Sequence, residues 1–427
     1  MLDLWLQVRG SYWFLPALMA VGAVSIAALL IRLDAMLGNA WMDEIGWMYA
    51  TQPDGARAIL STVAGSMITV AGVTFSMTLL AVSHASAQIG PRLLSEFMRD
   101  RGNQFTLGTF IATFLYCLVV LQTVRTGSAD EAGAFVPDLA VLVALVFTGL
   151  SVMVLIYFIH HVPQSINIAL VVSRTGDQLI RCADRLFPSG IGDDSGLTVA
   201  PVLPADLETA ATEIRYPGSG DYLRLLEGDT LIEAAAEHDL IVTVKARPGD
   251  FVLPGQALMM VWPGRAVDSS VEQKLRHAFS WGSQRTRDQD VRVPIEQLLE
   301  ILGKSMSPGV NGQYTAMLCI DQFERGLAHL LQITVPYEAR YDKDEKLRVL
   351  VKPHSLEELT EAILAPMRQF VRNDWICSRH MLRMLERLQA LPGLEQSRPL
   401  LQSHAVALRA EIADGSMSDN EKQDLLV

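Results

Sequence analysis

The chain has 427 residues, half of them hydrophobic, and a formal net charge of −12. This acidic balance without a basic tract disfavours nucleic acid as a partner, since such binding depends on Lys and Arg that neutralise phosphates. The four cysteines stand far apart and form no C-x-x-C pair, so we predict neither a disulfide framework nor a metal site. Long uncharged runs precede residue 162, and charged residues are dense after about residue 170.

Four stretches are apolar over about 20 residues, the length of helix that crosses a hydrocarbon core of about 30 Å. The predicted spans cover about residues 13–30, 58–82, 105–124 and 136–159. The first span has a weakly basic flank and no convincing cleavage site, so a retained helix is favoured over a cleaved signal peptide. No Asp, Glu, Lys or Arg lies in the four apolar cores, which argues against a proton-driven transporter and a voltage sensor.

The loops differ in charge. The loops after the first and third spans are acidic, whereas the other two connecting segments are rich in arginine: Arg92, Arg99 and Arg101, then Arg174, Arg181 and Arg185. Because positive residues stay on the cytoplasmic side, we predict that both termini are cytoplasmic.

The second span carries a stripe of small residues. At 100° per residue, six Gly and Ser positions fall within about 60° of arc. They are Ser61, Gly65, Gly72, Ser76, Ser83 and Gly90. Such a stripe either lets another helix approach closely or lines a wet path with hydroxyl groups. Both uses are compatible if identical helices pack around a shared axis.

Three histidines lie near the cytoplasmic ends of spans, namely His84, His160 and His161. They could form a metal site or a pH sensor, or they could be interfacial groups that bond water or a backbone carbonyl. The interfacial role is favoured, because no carboxylate or cysteine stands nearby in sequence.

The predicted secondary structure changes along the part of the chain that follows the fourth span. We predict four parts: a four-helix transmembrane domain (1–162), a helix and linker (163–204), a small β module (205–265) and a mainly helical domain (266–427) with a hairpin near 338–352. In the β module, short strand-like runs alternate with turns such as Glu227–Asp229 and Arg247–Asp250, which predicts an antiparallel barrel or sandwich. The polar tail after Ile412 is predicted to be disordered. The fold class is therefore an α-helical membrane domain followed by a mixed α+β region.

No catalytic signature is present: the chain lacks G-x-S-x-G, a P-loop, G-x-G-x-x-G, H-E-x-x-H and the kinase motifs. We therefore expect neither an enzyme nor a cofactor.

Two long stretches carry a resemblance. Residues 59–121, beginning ILSTVAGSMITVAG, are similar to the membrane signature of a bacterial family, domain of unknown function 2254. Residues 284–316, which end in SPGVNGQYTA, look like that family's second signature, although Gly312 and Gln313 stand where Asp and Pro are usual. The resemblance implies the bacterial inner membrane and a four-helix plus cytoplasmic-domain plan, with no established activity.

Two groups of polar residues lie in this second stretch. The first group is Arg285, Thr286, Gln289 and Asp290, and the second, around a helix end, is Ser305, Ser307, Asn311 and Thr315. They could bind an anion, or they could cap helices and bridge subunits, and capping is favoured.

These patterns lead to two functional hypotheses. The first is a homo-oligomeric channel in which the second span lines the axis and the cytoplasmic region gates it. The alternative is a non-conducting scaffold or sensor whose cytoplasmic domain binds a ligand or partner. A membrane-tethered enzyme has the least support. In either leading case the expected partners are the lipid bilayer and further copies of the chain.

Overall fold

The computed structural model describes residues 13–37, 52–89, 100–125, 135–165, 167–186, 203–286, 288–333, 339–352 and 354–426. The chain divides into two compact units, Met1–Leu170 and Val171–Val427.

The first unit contains the four predicted spans. They are α1 (Phe14–Leu37), α2 (Pro53–Ile89), α3 (Arg101–Thr123) and α4 (Asp138–Ser165). All four are long and apolar enough to cross a membrane, which confirms their prediction. They extend past the apolar runs, so that α1 includes Arg32 and Asp34.

Helix α3 lies at the centre of this unit and packs against the other three helices. The closest approach is between α1 and α3. A Cβ atom added at Gly108 would lie 2.6 Å from the Met19 sulfur and 3.2 Å from Cα of Pro16. A small residue is therefore required where these two backbones meet.

Polar bonds join α3 to α4 inside the unit. The hydroxyls of Thr113 and Ser151 are 3.0 Å apart, and the Tyr116 hydroxyl donates to the Ala140 carbonyl at 2.8 Å. Large apolar side chains, among them Leu29, Leu80 and Met153, are exposed on the outer faces of the helices. Polar bonds inside and large apolar side chains outside reverse the usual distribution of a water-soluble protein and suit hydrocarbon surroundings.

The second unit begins with α5 (Ile168–Leu186) and holds two sheets. The strands are β1 (Thr212–Arg215), β2 (Asp221–Leu226), β3 (Ile241–Val244), β4 (Phe251–Val252), β5 (Ala257–Trp262), β6 (Phe279–Gly282), β7 (Ala339–Tyr341) and β8 (Leu347–Val351). One sheet has the order β1-β5-β3-β8-β7, with β3 and β8 parallel, and the other is antiparallel in the order β4-β2-β6.

These sheets do not confirm the predicted barrel or sandwich. The described strands form no closed barrel, and the larger sheet takes β7 and β8 from beyond residue 265. The predicted turn at Glu227–Asp229 is wrong, because it is the start of helix α6 (Gly228–Glu237). Leu231 and Ala235 of this helix are fully buried in the core beside the larger sheet, and their burial outweighs the turn-forming Gly-Asp pair.

Helix α7 (Ser269–His277) packs on the core of the sheets through Val271 and Leu275. The remaining helices pack against one another, and they are α8 (Arg292–Ser305), α9 (Gln313–Leu330), α10 (Leu356–Val371), α11 (Trp375–Ala390), α12 (Arg398–Ala413) and α13 (Asp419–Leu426). The last helix corrects the prediction of a disordered tail. Its Leu425 is buried, and Asp424 accepts a hydrogen bond from the Trp375 indole at 3.1 Å.

Helix α5 packs closely on α9. A Cβ atom at Gly176 would meet the Gln322 side chain, and one at Gly326 would lie 2.5 Å from Leu179. Asp184 pairs with His329 at 2.6 Å along the same contact. Glycines on both helices therefore permit the approach, and the Asp184–His329 contact joins the same two helices.

Candidate functional site

Helix α2 has two different faces. The side that packs against the other helices of the chain carries Ala56, Leu60, Ala64 and Ala71, all of which are buried. The small-residue stripe faces away: Ser61, Gly65, Gly72, Ser76 and Ser83 are all exposed. A Cβ atom added at Gly65 or Gly72 would meet no atom within 4 Å. Among the described residues of the chain, these glycines therefore serve no packing contact. Gly90 lies outside the described residues.

Several hydroxyl groups on this helix bond to their own backbone. Ser61 donates to the Ala58 carbonyl at 3.1 Å, and Thr69 donates to the Gly65 carbonyl at 2.8 Å. Each hydroxyl hydrogen is thus bonded within the helix and needs no acceptor from another helix, while the hydroxyl oxygen still has a lone pair that can accept a hydrogen bond.

Two large residues and one charge share the arc of the stripe. Ile68 and Leu79 are 45% and 55% exposed on it, and Asp54 is exposed on the same arc in the first turn of α2. Arg57, on the edge of the arc, donates to the Val124 carbonyl at 2.9 Å. The face therefore presents an acidic end, small positions and two apolar side chains.

In the second unit, the residues of the first predicted polar group lie close together. Gln289 receives the Leu226 backbone N–H at 2.8 Å and donates to the Leu226 carbonyl at 3.0 Å. Thr286 donates to the Arg224 carbonyl at 3.3 Å. Both side chains attach the segment after β6 to strand β2.

Asp290 is the centre of this group, with a side chain only 1% exposed. Its carboxylate accepts from Arg285 Nε at 2.6 Å and from Arg292 at 3.1 Å through Nε and 3.0 Å through the backbone N–H. Arg285 also pairs with Glu296. A buried carboxylate needs such compensation, because an uncompensated buried charge is strongly destabilising.

Arg292 extends this network to the turn Arg247–Asp250. It donates to the Pro248 carbonyl at 3.2 Å and to Asp250 at 3.1 Å. Gly249 in this turn has φ +89°, and a Cβ atom there would lie 2.0 Å from the Asp290 carboxylate. The turn can therefore approach Asp290 only with a glycine.

The network ends on helix α10. Arg247 pairs with Glu358 at 3.3 Å, and the same carboxylate lies 3.5 Å from Nδ1 of His354. Burial, together with Arg247 and Arg292, lowers the pKa of His354. We name this network the charged joint; its residues are Arg247, Asp250, Arg285, Asp290, Arg292, Glu296, His354 and Glu358. Its four carboxylates face three arginines, which leaves no excess positive charge to attract an anion.

The second predicted polar group lies elsewhere. Ser305 and Ser307 are at the end of α8, whose 14 residues place them about 20 Å from Arg292. Ser305 donates to the Ile301 carbonyl at 2.8 Å, and Ser307 to the Lys304 carbonyl at 2.6 Å. Asn311 has φ +49° in the following turn, and Thr315 lies in the first turn of α9. This arrangement ends one helix and begins the next.

The sequence did not indicate a role for Asp34. Its carboxylate is 5% exposed and accepts the backbone N–H groups of Leu139 at 3.2 Å and Ala140 at 3.0 Å. It therefore caps the positive end of α4 from another helix. The available signal was the helical pattern that continues past Leu30.

A second contact that the sequence did not suggest involves His161. Its Nε2 lies 2.9 Å from Asp100, which also caps α3 by accepting the Gly102 N–H at 2.7 Å, and Tyr157 stacks on the imidazole. The fold thus supplies the carboxylate that was lacking nearby in sequence. Among the described residues no group of three or more His, Cys, Asp or Glu could hold a metal ion. The side chain of His84 is outside the described part.

Comparison with known proteins places these features in a family. A family model described as predicted membrane protein (DUF2254) matches residues 9–387. An uncharacterised protein of Mycobacterium bovis and one of Mycobacterium tuberculosis are each 28% identical to this chain over 425 residues, 98% of this chain and 79% of theirs. No solved structure matches.

Proposed function

The chain belongs to the predicted membrane protein family of domain of unknown function 2254, and from this premise we propose that it forms a homo-oligomeric channel. The observation that carries the proposal is the exposed Gly/Ser face of α2. In this proposal copies of α2 surround a shared axis in the bacterial inner membrane, with both termini and the second unit in the cytoplasm. The proposal assigns no enzymatic activity and no cofactor.

Assembly through this face has a physical basis. Association of helices in a bilayer depends on close van der Waals packing, because lipid tails are as apolar as the side chains they contact. Gly65 and Gly72 have open space above them, so another backbone can approach there. The other outward surfaces carry large apolar side chains that suit lipid instead.

Conduction is proposed from what the face presents along its length. The serine oxygens can accept hydrogen bonds from water on a path that carries no ionisable group in its apolar part. Ile68 and Leu79 lie about 16 Å apart along the helix axis, so each would form a separate narrow apolar ring of the kind that gates by dewetting. Asp54 from each copy would place a ring of carboxylates at one mouth, which favours cations.

The second unit is proposed as the gating part. Helix α5 follows α4 after only two residues and is held tightly on α9 by Gly176, Gly326 and the Asp184–His329 pair. A rearrangement of the helical core would therefore act on the chain close to the end of α4.

One observation favours a non-conducting scaffold as the second candidate. The hydroxyls of Ser61 and Thr69 donate to their own helix, which also suits a dry helix–helix contact. In that case the same face would assemble the chain without a water path.

Assembly is tested by disulfide crosslinking of single-cysteine substitutions in native membranes. We expect Ser76→Cys to crosslink two copies, because position 76 lies on the proposed interface. The matched control is Met77→Cys, which is exposed but turned about 100° away. The four native cysteines are buried and contribute little background. Equal crosslinking of both variants, or of neither, would contradict the proposed interface.

A further inference from the structure

We propose that His354 is a proton-sensitive element of the charged joint: when it takes up a proton, the contact between the turn Arg247–Asp250 and the first turn of α10 loosens. This inference concerns the second unit alone and does not depend on whether the protein conducts.

The geometry places one carboxylate between two groups. Glu358 Oε1 lies 3.5 Å from His354 Nδ1, and Oε2 lies 3.3 Å from Arg247. Ser355 caps α10 by accepting the Glu358 N–H at 2.9 Å, which fixes the start of that helix. The Glu358–Arg247 pair is the ion pair that joins this helix to the turn, and His354 competes for it when charged.

The surroundings of His354 oppose its charge. Its side chain is 3% exposed, Arg247 faces it from the turn, Arg292 faces it from the start of α8, and only Glu358 on α10 favours the proton. The carboxylates of Asp250 and Asp290 are engaged by Arg292. Lys352 and Glu357, the other charged residues beside His354 in the chain, are exposed.

The sign of the effect follows from these contacts. Burial first, then the two arginines, lower the pKa of His354 from its ordinary value of 6.5, so the imidazole is neutral at neutral pH. An opened joint releases the imidazole to water, where it binds a proton more readily. The closed joint is therefore fully stable above about pH 6.5 and loses stability as the pH falls below that value.

The turn is held by its contacts with Arg292 and by its contact with α10, and only the contact with α10 depends on the protonation of His354. Asp250 accepts from the Arg247 N–H at 2.9 Å and pairs with Arg292 at 3.1 Å, and neither contact involves His354. An imidazolium beside Arg247 and Arg292 would repel both guanidinium groups and draw Glu358 to itself. The contact between the turn and α10 is then the one that opens.

Hydrogen exchange of the full-length protein in nanodiscs tests this inference. The readout is the protection of the Glu358 and Leu359 amides in the first turn of α10, which bond to the Ser355 hydroxyl and carbonyl. After correction for intrinsic rates, we expect protection to fall by up to about tenfold per pH unit below about pH 6.5 in the wild type. In His354→Gln the fall should disappear.

Two further variants keep the test decisive. His404→Gln removes another buried imidazole, which contacts Arg368 and Glu361 further along α10, and should leave the response of the Glu358 and Leu359 amides unchanged. Glu358→Gln removes the one group that favours the charged His354, so the fall should move to lower pH, whereas a purely structural role would lower protection equally at every pH. Protection that is independent of pH in the wild type, or a fall that persists in His354→Gln, would overturn the inference.

Discussion

Gly249 and Gly255 have similar backbone conformations but different neighbours. Their φ angles are +89° and +78°, and a Cβ atom would strike the Asp290 carboxylate at Gly249 and meet nothing at Gly255. We expect Gly255→Ala to cost about 1–2 kcal/mol from backbone strain alone. Gly249→Ala should cost about 1–3 kcal/mol more, because the added atom also displaces the joint. The free energy of unfolding of each variant is measured in urea, with hydrogen exchange as the probe of the second unit. Equal losses of stability in the two variants would argue against the tight contact at Gly249.

Asp290 supports a second prediction at this scale. Asp290→Asn would leave Arg285 and Arg292 without their shared buried carboxylate, so we expect a loss of about 3–5 kcal/mol in the second unit. Asp288→Asn is the matched control, because Asp288 is exposed two residues away. The same unfolding measurement applies, and a change below about 1 kcal/mol in Asp290→Asn would show that the network is not required.

At the scale of elements, the hairpin β7–β8 is attached to the loop before β3 by one arginine. Arg348, with a side chain 6% exposed, pairs with Asp342 at 2.6 Å and with Asp239 at 2.8 Å. The hydrogen bond and charge of Arg348 lower the pKa of Asp239, and they lower that of Asp342 although its burial opposes the shift.

The direction of these two pKa shifts predicts how the stability of the fold changes in acid. Because both folded pKa values are lowered, the contribution to stability is present above the ordinary Asp value of about 3.9 and is lost as the pH falls through the lowered values. Arg348→Met should reduce the melting temperature at neutral pH and flatten its decline in acid. A variant whose acid profile is parallel to that of the wild type would contradict the role of Arg348.

Elements that depend on a local sequence pattern were predictable, and contacts between residues far apart in the chain were not. The four spans and helix α10 were predictable, because apolar length and helical periodicity are local signals. The parallel pairing of β3 with β8 joins residues more than 100 positions apart, and no local pattern records it. For the same reason the capping of α4 by Asp34 and the pairing of Asp100 with His161 emerged only from the fold.

The candidate sites show the same division. The Gly/Ser stripe was visible as a periodic pattern, but its exposure required the packing of α2 against its neighbours. Arg285, Thr286, Gln289 and Asp290 were predictable as a group, because they are close in sequence. Their partners Asp250, His354 and Glu358 were not, because tertiary packing brings them together.

At the scale of the whole molecule, the apolar outer surface and the four spans describe a membrane protein, and the exposed face of α2 is one of the surfaces that a single chain leaves uncovered. A channel built on that face carries two apolar rings, at Ile68 and at Leu79. Widening one of them should therefore change conduction without changing the second unit.

The most direct measurement is ion flux into liposomes that contain the purified protein. We expect cation flux from the wild type and a rise of about tenfold or more in Leu79→Ser, since a hydroxyl there removes part of the dewetting barrier. Leu80→Ser is the matched control, because Leu80 is exposed but lies about 100° off the proposed axis. Liposomes that stay silent with all three proteins, while Ser76→Cys still crosslinks, would contradict the channel and leave the non-conducting scaffold.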